Sequence, residues 1–156
     1  MFFFKSFPKQ IKLQNVDYKD TVAFVVPLTS GKVVKVYDGD TITVASYLKI
    51  QNKNKLYRFS VRISNIDCCE LRTKDENEKM LALEAKTYVE NRLLNQIVNL
   101  KNVKTEKYGR ILADVYHNEE NISSLLIQNQ LAIPYTGGAK KDVTNILLNL
   151  RNEVAL

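Results

Sequence analysis

Strict alternation of apolar and polar residues between Tyr57 and Ser64 is the feature that most constrains this fold. The two sets are Tyr57, Phe59, Val61 and Ile63 against Arg58, Ser60, Arg62 and Ser64. A period of two places successive side chains on opposite faces of a β-strand. The segment is therefore predicted to be a half-buried strand that turns Arg62 away from the core.

Two hairpin turns are predicted before this strand. In Val36–Thr43, β-forming residues lead into Asp38-Gly39 and out again, which is typical of a tight turn that leaves carboxylates at the mouth of a sheet. Most Asp-Gly turns bind nothing, so this turn alone indicates no ligand. Thr41 to Ile50 continues as a strand, and the polar stretch from Gln51 to Lys55 predicts the second turn.

The remaining elements follow from apolar spacing and turn residues. Further strands are predicted at Thr21–Val26, Gly31–Tyr37, Ile97–Val103 and Ile111–Tyr116. Helical spacing of apolar residues from Glu78 to about Asn95 predicts a helix, with capping boxes that start at Thr73 or Asp75. A short helix is expected after Asn121, and a terminal helix begins near Val143.

These elements predict an α+β fold with a mainly β core. About five short, unequal strands with inserted and trailing helices favour a five-stranded Greek-key barrel of the oligonucleotide-binding (OB) kind over a doubly wound sheet. About three helices accompany the barrel. We expect a leader at residues 1–20, flexible or packed at an edge, and a single domain at 21–156.

Charge and residue composition limit the binding partners and the cellular location that we expect for this chain. A net charge of +6 suggests a polyanion, nucleic acid before membrane. Cys68 and Cys69 are adjacent and His117 is the single histidine, so spaced zinc ligands are missing. The apolar start ends at Lys5, too early for an export signal or a membrane span, which favours an intracellular or packaged location over secretion.

Three acids and two arginines could carry chemistry. Asp40, Asp67 and Glu70 lie at predicted strand ends, where carboxylates could hold a hard divalent cation or only cap turns. Arg62 and Arg110 could each clamp a phosphodiester through paired hydrogen bonds, or serve as ordinary surface residues. No single residue decides between these readings.

Together, three blocks resemble the staphylococcal-nuclease-like (thermonuclease) family over roughly residues 31–135. The blocks are Asp38-Gly39-Asp40-Thr41, then Arg62 followed by Asp67 and Glu70, and then Lys107-Tyr108-Gly109-Arg110. The resemblance implies a five-stranded OB barrel with three helices and calcium-dependent cleavage of DNA and RNA. Low sequence specificity, a preference for single strands and a monomeric state are expected with it.

The resemblance also implies a role for each residue. Asp40 and Asp67 would bind Ca²⁺ through their carboxylates and Cys68 through its backbone carbonyl. Glu70 would orient or deprotonate the attacking water. Arg62 and Arg110 would bind the scissile phosphate, and the expected nucleotide contacts are Lys107, Tyr108 and Tyr135.

The chain departs from the family pattern in the loop between Asp67 and Glu70. Cys68 replaces a threonine, which a backbone ligand tolerates, whereas Cys69 replaces a proline that would stiffen the loop before Glu70. The alternative reading is an OB-fold module that binds nucleic acid or protein without catalysis. Such modules typically lose the acids or arginines, and this chain keeps all of them, which favours an enzyme.

Overall fold

Five strands form a closed barrel in the computed structural model, which describes residues 12–106, 109–139 and 141–154. The strands in chain order are β1 (Ser30–Val36), β2 (Thr41–Ile50), β3 (Lys53–Ile63), β4 (Ile66–Asp67), β5 (Ile97–Thr105), β6 (Ile111–His117), β7 (Glu120–Asn121) and β8 (Ile133–Pro134). The helices are α1 (Glu76–Leu93), α2 (Ile122–Gln128) and α3 (Val143–Val154). Antiparallel neighbours run β3-β2-β1-β5-β6, and parallel pairing of β3 with β6 closes the barrel. The predicted α+β OB-type barrel with three helices is confirmed.

The barrel core follows the alternation that the sequence shows. Val61 and Ile63 are fully buried, while Arg62 between them faces the other way. Matching inward positions on the other strands are also buried, including Val33, Val44, Val98 and Val115. Helix α1 covers the barrel with Ala85, Val89 and Leu93, while its buried Leu81 and Ala82 pack in a separate cluster with α3. Apolar burial of this kind is the main driving force for the fold.

The hairpin of β2 and β3 is long and regular. It pairs ten residues on each strand, from Thr41 opposite Arg62 to Ile50 opposite Lys53. Gln51 and Asn52 both have positive φ, 49° and 61°, as in a two-residue turn that matches the strand twist. The predicted tip, Gln51 to Lys55, was therefore too long, because two left-handed residues close the turn and β3 already begins at Lys53.

The predicted strand at Thr21–Val26 is wrong. This segment forms no strand, and Val22 and Phe24 are largely exposed. Its links to the barrel include the packing of Val26 against the core and a hydrogen bond from Thr105 Oγ1 to the Phe24 carbonyl at 2.9 Å. β-Propensity reflects how side chains pack on a pleated, half-buried surface, and Val22 and Phe24 stay exposed instead of packing on one.

Side chains at the predicted positions cap the first two helices. Asp75 Oδ1 accepts hydrogen bonds from the backbone N–H groups of Asn77 (2.8 Å) and Glu78 (3.1 Å), so α1 begins at Glu76. Asn121 Oδ1 accepts from the Ser124 N–H at 3.0 Å and caps α2. Within the described ranges, no helix has the length and apolar character needed to cross a membrane.

A small second ladder positions the loop after β3. In it β4 pairs with β8, with Asp67 opposite Ile133. The Tyr135 N–H donates to the Asn65 carbonyl at 3.0 Å and extends the contact. A separate apolar cluster anchors α3 beside this loop: Cys69, Leu81, Ala82, Ile133, Val143 and Leu147. The loop that carries Asp67 is therefore held from two sides.

Candidate active site

Asp40 ends the turn between β1 and β2 and is buried, with only 4% of its surface exposed. Its backbone N–H donates to Asp38 Oδ1 at 3.1 Å, and its Oδ1 accepts from Thr41 Oγ1 at 2.8 Å. The turn packs tightly at Gly39, where a Cβ would lie 2.7 Å from Ala85 Cβ and 2.9 Å from Cys68 Sγ. Only glycine fits between these atoms, so the carboxylate of Asp40 is held close to the Cys68 loop.

Arg62 joins the two acids that the sequence analysis assigned to a cation. Its Nη1 donates to Asp40 Oδ2 at 2.6 Å and its Nη2 to Asp67 Oδ1 at 2.9 Å. Nη2 also lies 3.3 Å from the Ile66 carbonyl. The structure thus brings Asp40, Arg62 and Asp67 together, with the side chains of Arg62 and Asp67 mostly shielded from solvent.

Burial and neighbouring charges shift the pKa values of Asp40 and Arg62. Burial and the neighbouring Asp38 raise the pKa of Asp40 from 3.8 to about 7, and Arg62 and Thr41 offset only part of that rise. Burial acts to lower the pKa of Arg62, but the carboxylates of Asp40 and Asp67 outweigh it and the pKa is raised. Arg62 therefore stays charged, and Asp40 lacks full compensation for its negative charge.

The two carboxylates have the chemistry of a divalent-cation site. Because Asp40 Oδ2 and Asp67 Oδ1 contact adjacent nitrogens of one guanidinium, they lie close enough to be bridged by a single positive centre. Hard cations such as Ca²⁺ and Mg²⁺ take carboxylate, carbonyl and water oxygens. No group of three or more His, Cys, Asp or Glu side chains suited to a metal occurs among the described residues. Any cation here would depend on two carboxylates, a backbone carbonyl and water.

The second arginine, Arg110, pairs with an acid that lines a cavity beside Arg62. Arg110 Nε donates to Glu106 Oε2 at 2.6 Å. Glu106 and Arg62 line one cavity of about 340 Å³ together with Lys104, Leu112 and Tyr135. The Tyr135 hydroxyl donates to the Gly138 carbonyl at 3.0 Å. The two other predicted nucleotide contacts, Lys107 and Tyr108, lie outside the described residues.

Glu70 lies apart from this cavity. It is exposed, and its backbone N–H is 3.3 Å from Glu78 Oε1. With Cys68 it lines another cavity, of about 310 Å³, beside the start of α3. The structure therefore brings Asp40, Arg62 and Asp67 into direct contact. Arg110 is linked to the neighbouring cavity through Glu106, and Glu70 lines a separate cavity with Cys68.

Both cysteines are free and buried. Burial raises the pKa of each thiol, and for Cys69 a contact with Thr144 Oγ1 at 3.5 Å partly opposes this rise. Both thiols therefore stay protonated near neutral pH. Of the two, Cys68 packs directly against Gly39 in the turn.

Sequence reasoning missed two partners that orient the candidate site residues. Thr41 donates to Asp40, and Glu106 binds Arg110. Neither had a clear signal in the sequence. A threonine at a strand start has many uses, and an acid four residues before an arginine predicts a pair only on a helix. Glu106 and Arg110 instead meet across the connection between β5 and β6, where the Glu106 N–H donates to the Arg110 carbonyl at 2.7 Å.

Comparison with known proteins identifies the family. A family model described as staphylococcal nuclease homologue matches residues 60–154, more than half of the chain. The matched range includes Arg62, Asp67, Glu70 and Arg110 and begins after Asp40.

Named relatives agree with that match. "Endonuclease Htp3" of Saprolegnia parasitica is 30% identical over 116 residues, which is 67% of this chain and 55% of the relative. "Thermonuclease" of Staphylococcus hyicus is 34% identical over 103 residues, 65% of this chain and 56% of the relative. The chain thus spans about half the length of these relatives. It belongs to the staphylococcal nuclease homologue family.

Proposed function

We propose that this protein is a calcium-dependent nuclease that hydrolyses phosphodiester bonds of DNA and RNA with low sequence specificity. We further propose that it acts as a monomer and prefers single strands. The observation that carries the proposal is the shared guanidinium, with Asp40 and Asp67 on adjacent nitrogens of Arg62 at 2.6 and 2.9 Å. The relatives named endonuclease and thermonuclease support the same reaction class.

The charge balance of this triad favours coupled binding of metal and substrate. With both carboxylates ionised, the two acids and Arg62 carry one net negative charge, which repels a phosphodiester. A divalent cation held by Asp40 and Asp67, with the Cys68 carbonyl as a further ligand, would change the net charge of this cluster from negative to positive. We therefore expect substrate affinity to rise with calcium concentration.

The two arginines stabilise the charge that develops during hydrolysis. In-line attack of water places negative charge on the phosphoryl oxygens, and guanidinium donors fixed around them oppose it. A bound Ca²⁺ supplies Lewis-acid polarisation of the same oxygens. Arg62 now donates to Asp40 and Asp67, and Arg110 donates to Glu106, so each guanidinium would exchange a carboxylate for phosphoryl oxygens when a phosphate enters.

Glu70 is proposed to orient the attacking water or to accept its proton. The Glu70→Gln change keeps the shape and removes the basicity, so it separates these two roles. A large loss in kcat with unchanged KM supports proton transfer, a small loss supports orientation alone, and full activity refutes both. The control is Glu76→Gln, an exposed acid in the first turn of α1.

The deciding experiment is digestion of single- and double-stranded DNA and RNA across a calcium titration, with product ends identified. We expect cleavage that requires calcium, ceases with a chelator and is faster on single strands. Cleavage supported only by another divalent ion would correct the metal. If oligonucleotides bind in chelator but are cut at no metal concentration, the chain is the non-catalytic binding module instead.

A further inference from the structure

Positive charge is concentrated on three neighbouring strands. Strands β1, β2 and β3 contain seven of the chain's 23 lysine and arginine residues and none of its 17 acidic residues. The rest of the chain has 16 basic against 17 acidic residues, so the net charge of +6 originates in this part of the sheet. A surface that excludes acids in this way is the electrostatic footprint of a polyanion partner.

The strand register places much of this charge on the outer face of the sheet, which we call the basic sheet face. Lys32, Ala45 and Arg58 form one row across β1, β2 and β3. Lys35, Thr43 and Ser60 form the next row. Lys49 and Tyr47 lie further out on the same face of β2, because side chains on one face recur every second residue. In the first row the small Ala45 separates two cations.

Four cations of this face are open to solvent. Lys32, Lys35, Lys49 and Arg58 are all exposed. Within the described part of the chain, none of them has a carboxylate partner, whereas Arg62 on the same strand bridges two. Lys35 and Arg58 also line a concavity of about 660 Å³ with Val34, Thr43 and Ser60. Two cations and two hydroxyls around one hollow are suited to phosphate oxygens.

The hollow is in line with the candidate active site. Arg58 and Arg62 are on the same face of β3, four residues and therefore about 13 Å apart along the strand. Tyr47 is 67% exposed on the outer part of the face, where its ring is free to stack against a base. A nucleic-acid strand whose scissile phosphate lies at Arg62 can thus continue over the basic sheet face.

We propose that the basic sheet face binds the backbone phosphates of the nucleic-acid strand on one side of the scissile bond, with Lys35 and Arg58 at its centre. The inference deepens the proposed function and rests on it for the identity of the polymer. Nucleic acid is favoured over an anionic membrane because the charges line a hollow between strand rows rather than a flat surface. Contacts of this kind lengthen the bound segment without reading its sequence.

The test measures binding of a fluorescent single-stranded oligonucleotide by anisotropy in chelator, at several salt concentrations. The double variant Lys35→Gln/Arg58→Gln should lower the slope of log affinity against log salt by about 1.4, since each phosphate contact on a single strand contributes about 0.7. Between about 50 and 200 mM salt, the wild type should therefore lose about sevenfold more affinity than the variant. No cleavage is needed, so this test can fail without the nuclease proposal failing.

Two control variants distinguish a specific role of the basic sheet face from effects of net charge and of altered folding. Lys19→Gln/Lys79→Gln removes the same charge from exposed positions outside the three strands and should keep the wild-type slope. Lys35→Arg/Arg58→Lys keeps the charge and should keep the affinity. Equal slopes for the wild type and the Lys35→Gln/Arg58→Gln variant would overturn the proposal. So would an equal loss in the Lys19→Gln/Lys79→Gln control, or a loss confined to binding of anionic phospholipid vesicles.

Discussion

Arg62 Nη1 lies 2.6 Å from Asp40 Oδ2, and the hairpin of β2 and β3 makes this contact possible. Thr41, the residue after Asp40, is paired with Arg62 across the ladder. A slip of one residue in this register would turn Arg62 into the core, because side chains alternate between faces. The two-residue turn at Gln51 and Asn52 therefore helps to position the candidate site from the far end of the hairpin.

Removal of either arginine should abolish most of the activity. We expect Arg62→Ala and Arg110→Ala each to lose at least about a hundred- to a thousandfold in kcat/KM, the usual effect of one lost charge-stabilising donor. Arg62→Lys should recover part of the loss, since it restores charge but not paired donors. The assay is cleavage of single-stranded DNA with millimolar calcium, alongside circular dichroism to show that the fold survives. Near-normal turnover in either alanine variant would remove that arginine from the mechanism.

Asp40 should make the metal-free protein less stable as pH rises. Its pKa is 3.8 ordinarily and about 7 in the fold, so between these values the unfolded chain has lost the proton that the folded chain keeps. Stability contributed by this group is full below about pH 4 and declines up to about pH 7. Asp40→Asn should therefore gain stability over the wild type, by about 2–4 kcal/mol at pH 8 and less at pH 5.

The check is urea denaturation in chelator at both pH values. Asp75→Asn is a suitable comparison, because Asp75 is an exposed helix cap and asparagine caps a helix about as well. A gain for Asp40→Asn that is equal at pH 5 and pH 8 would contradict the burial argument.

Calcium should stabilise the fold through Asp40 and Asp67. For a two-carboxylate site with a dissociation constant of about 10⁻⁴ to 10⁻³ M, about 10 mM calcium should add about 1–3 kcal/mol to the free energy of unfolding. Asp40→Asn and Asp67→Asn should each remove this increment. The measurement is denaturation with and without calcium, and an undiminished increment in both variants would place the ion elsewhere.

Gly39→Ala should destabilise the protein and disturb the site. The added methyl would meet Ala85 Cβ at 2.7 Å and Cys68 Sγ at 2.9 Å, and forced overpacking typically costs about 1–3 kcal/mol. Adding Ala85→Gly should relieve part of the clash. By contrast, Gly109→Ala meets no atom within 4 Å and pays only for its positive φ of 74°, about 1–2 kcal/mol. Thermal melts of the variants test this, and an unaffected Gly39→Ala protein would show that the turn can move.

The sequence predicted best where one local pattern dominated. Alternation in β3 located Val61 and Ile63 in the core and turned Arg62 outward, and the short side chain of Asp75 marked the start of α1. Thr21–Val26 has the same β-forming character, yet it is not a strand, and its Val22 and Phe24 are exposed. Propensity describes a segment, whereas a strand also needs a packed surface and a partner strand for its backbone.

The candidate site was predictable only from combined motifs. Asp40, Arg62 and Asp67 each had ordinary structural explanations, and their convergence depends on a hairpin register and a distant two-stranded ladder. The partnership of Glu106 with Arg110 and the tight contact at Gly39 became visible only in three dimensions. The sequence already contains the concentration of basic residues in β1, β2 and β3. Only the strand register shows that several of these residues share one face of the sheet.

The pairing of Asp67 in β4 with Ile133 in β8 has a consequence for biosynthesis. During translation, the segment carrying Asp67 emerges from the ribosome well before the strand that fastens it. A nascent chain can close much of its hairpin early, yet the loop that carries Asp67 gains its partner strand only after about 66 further residues have been made. The backbone that holds Asp67 beside Arg62 is therefore completed by a segment made well after the hairpin itself.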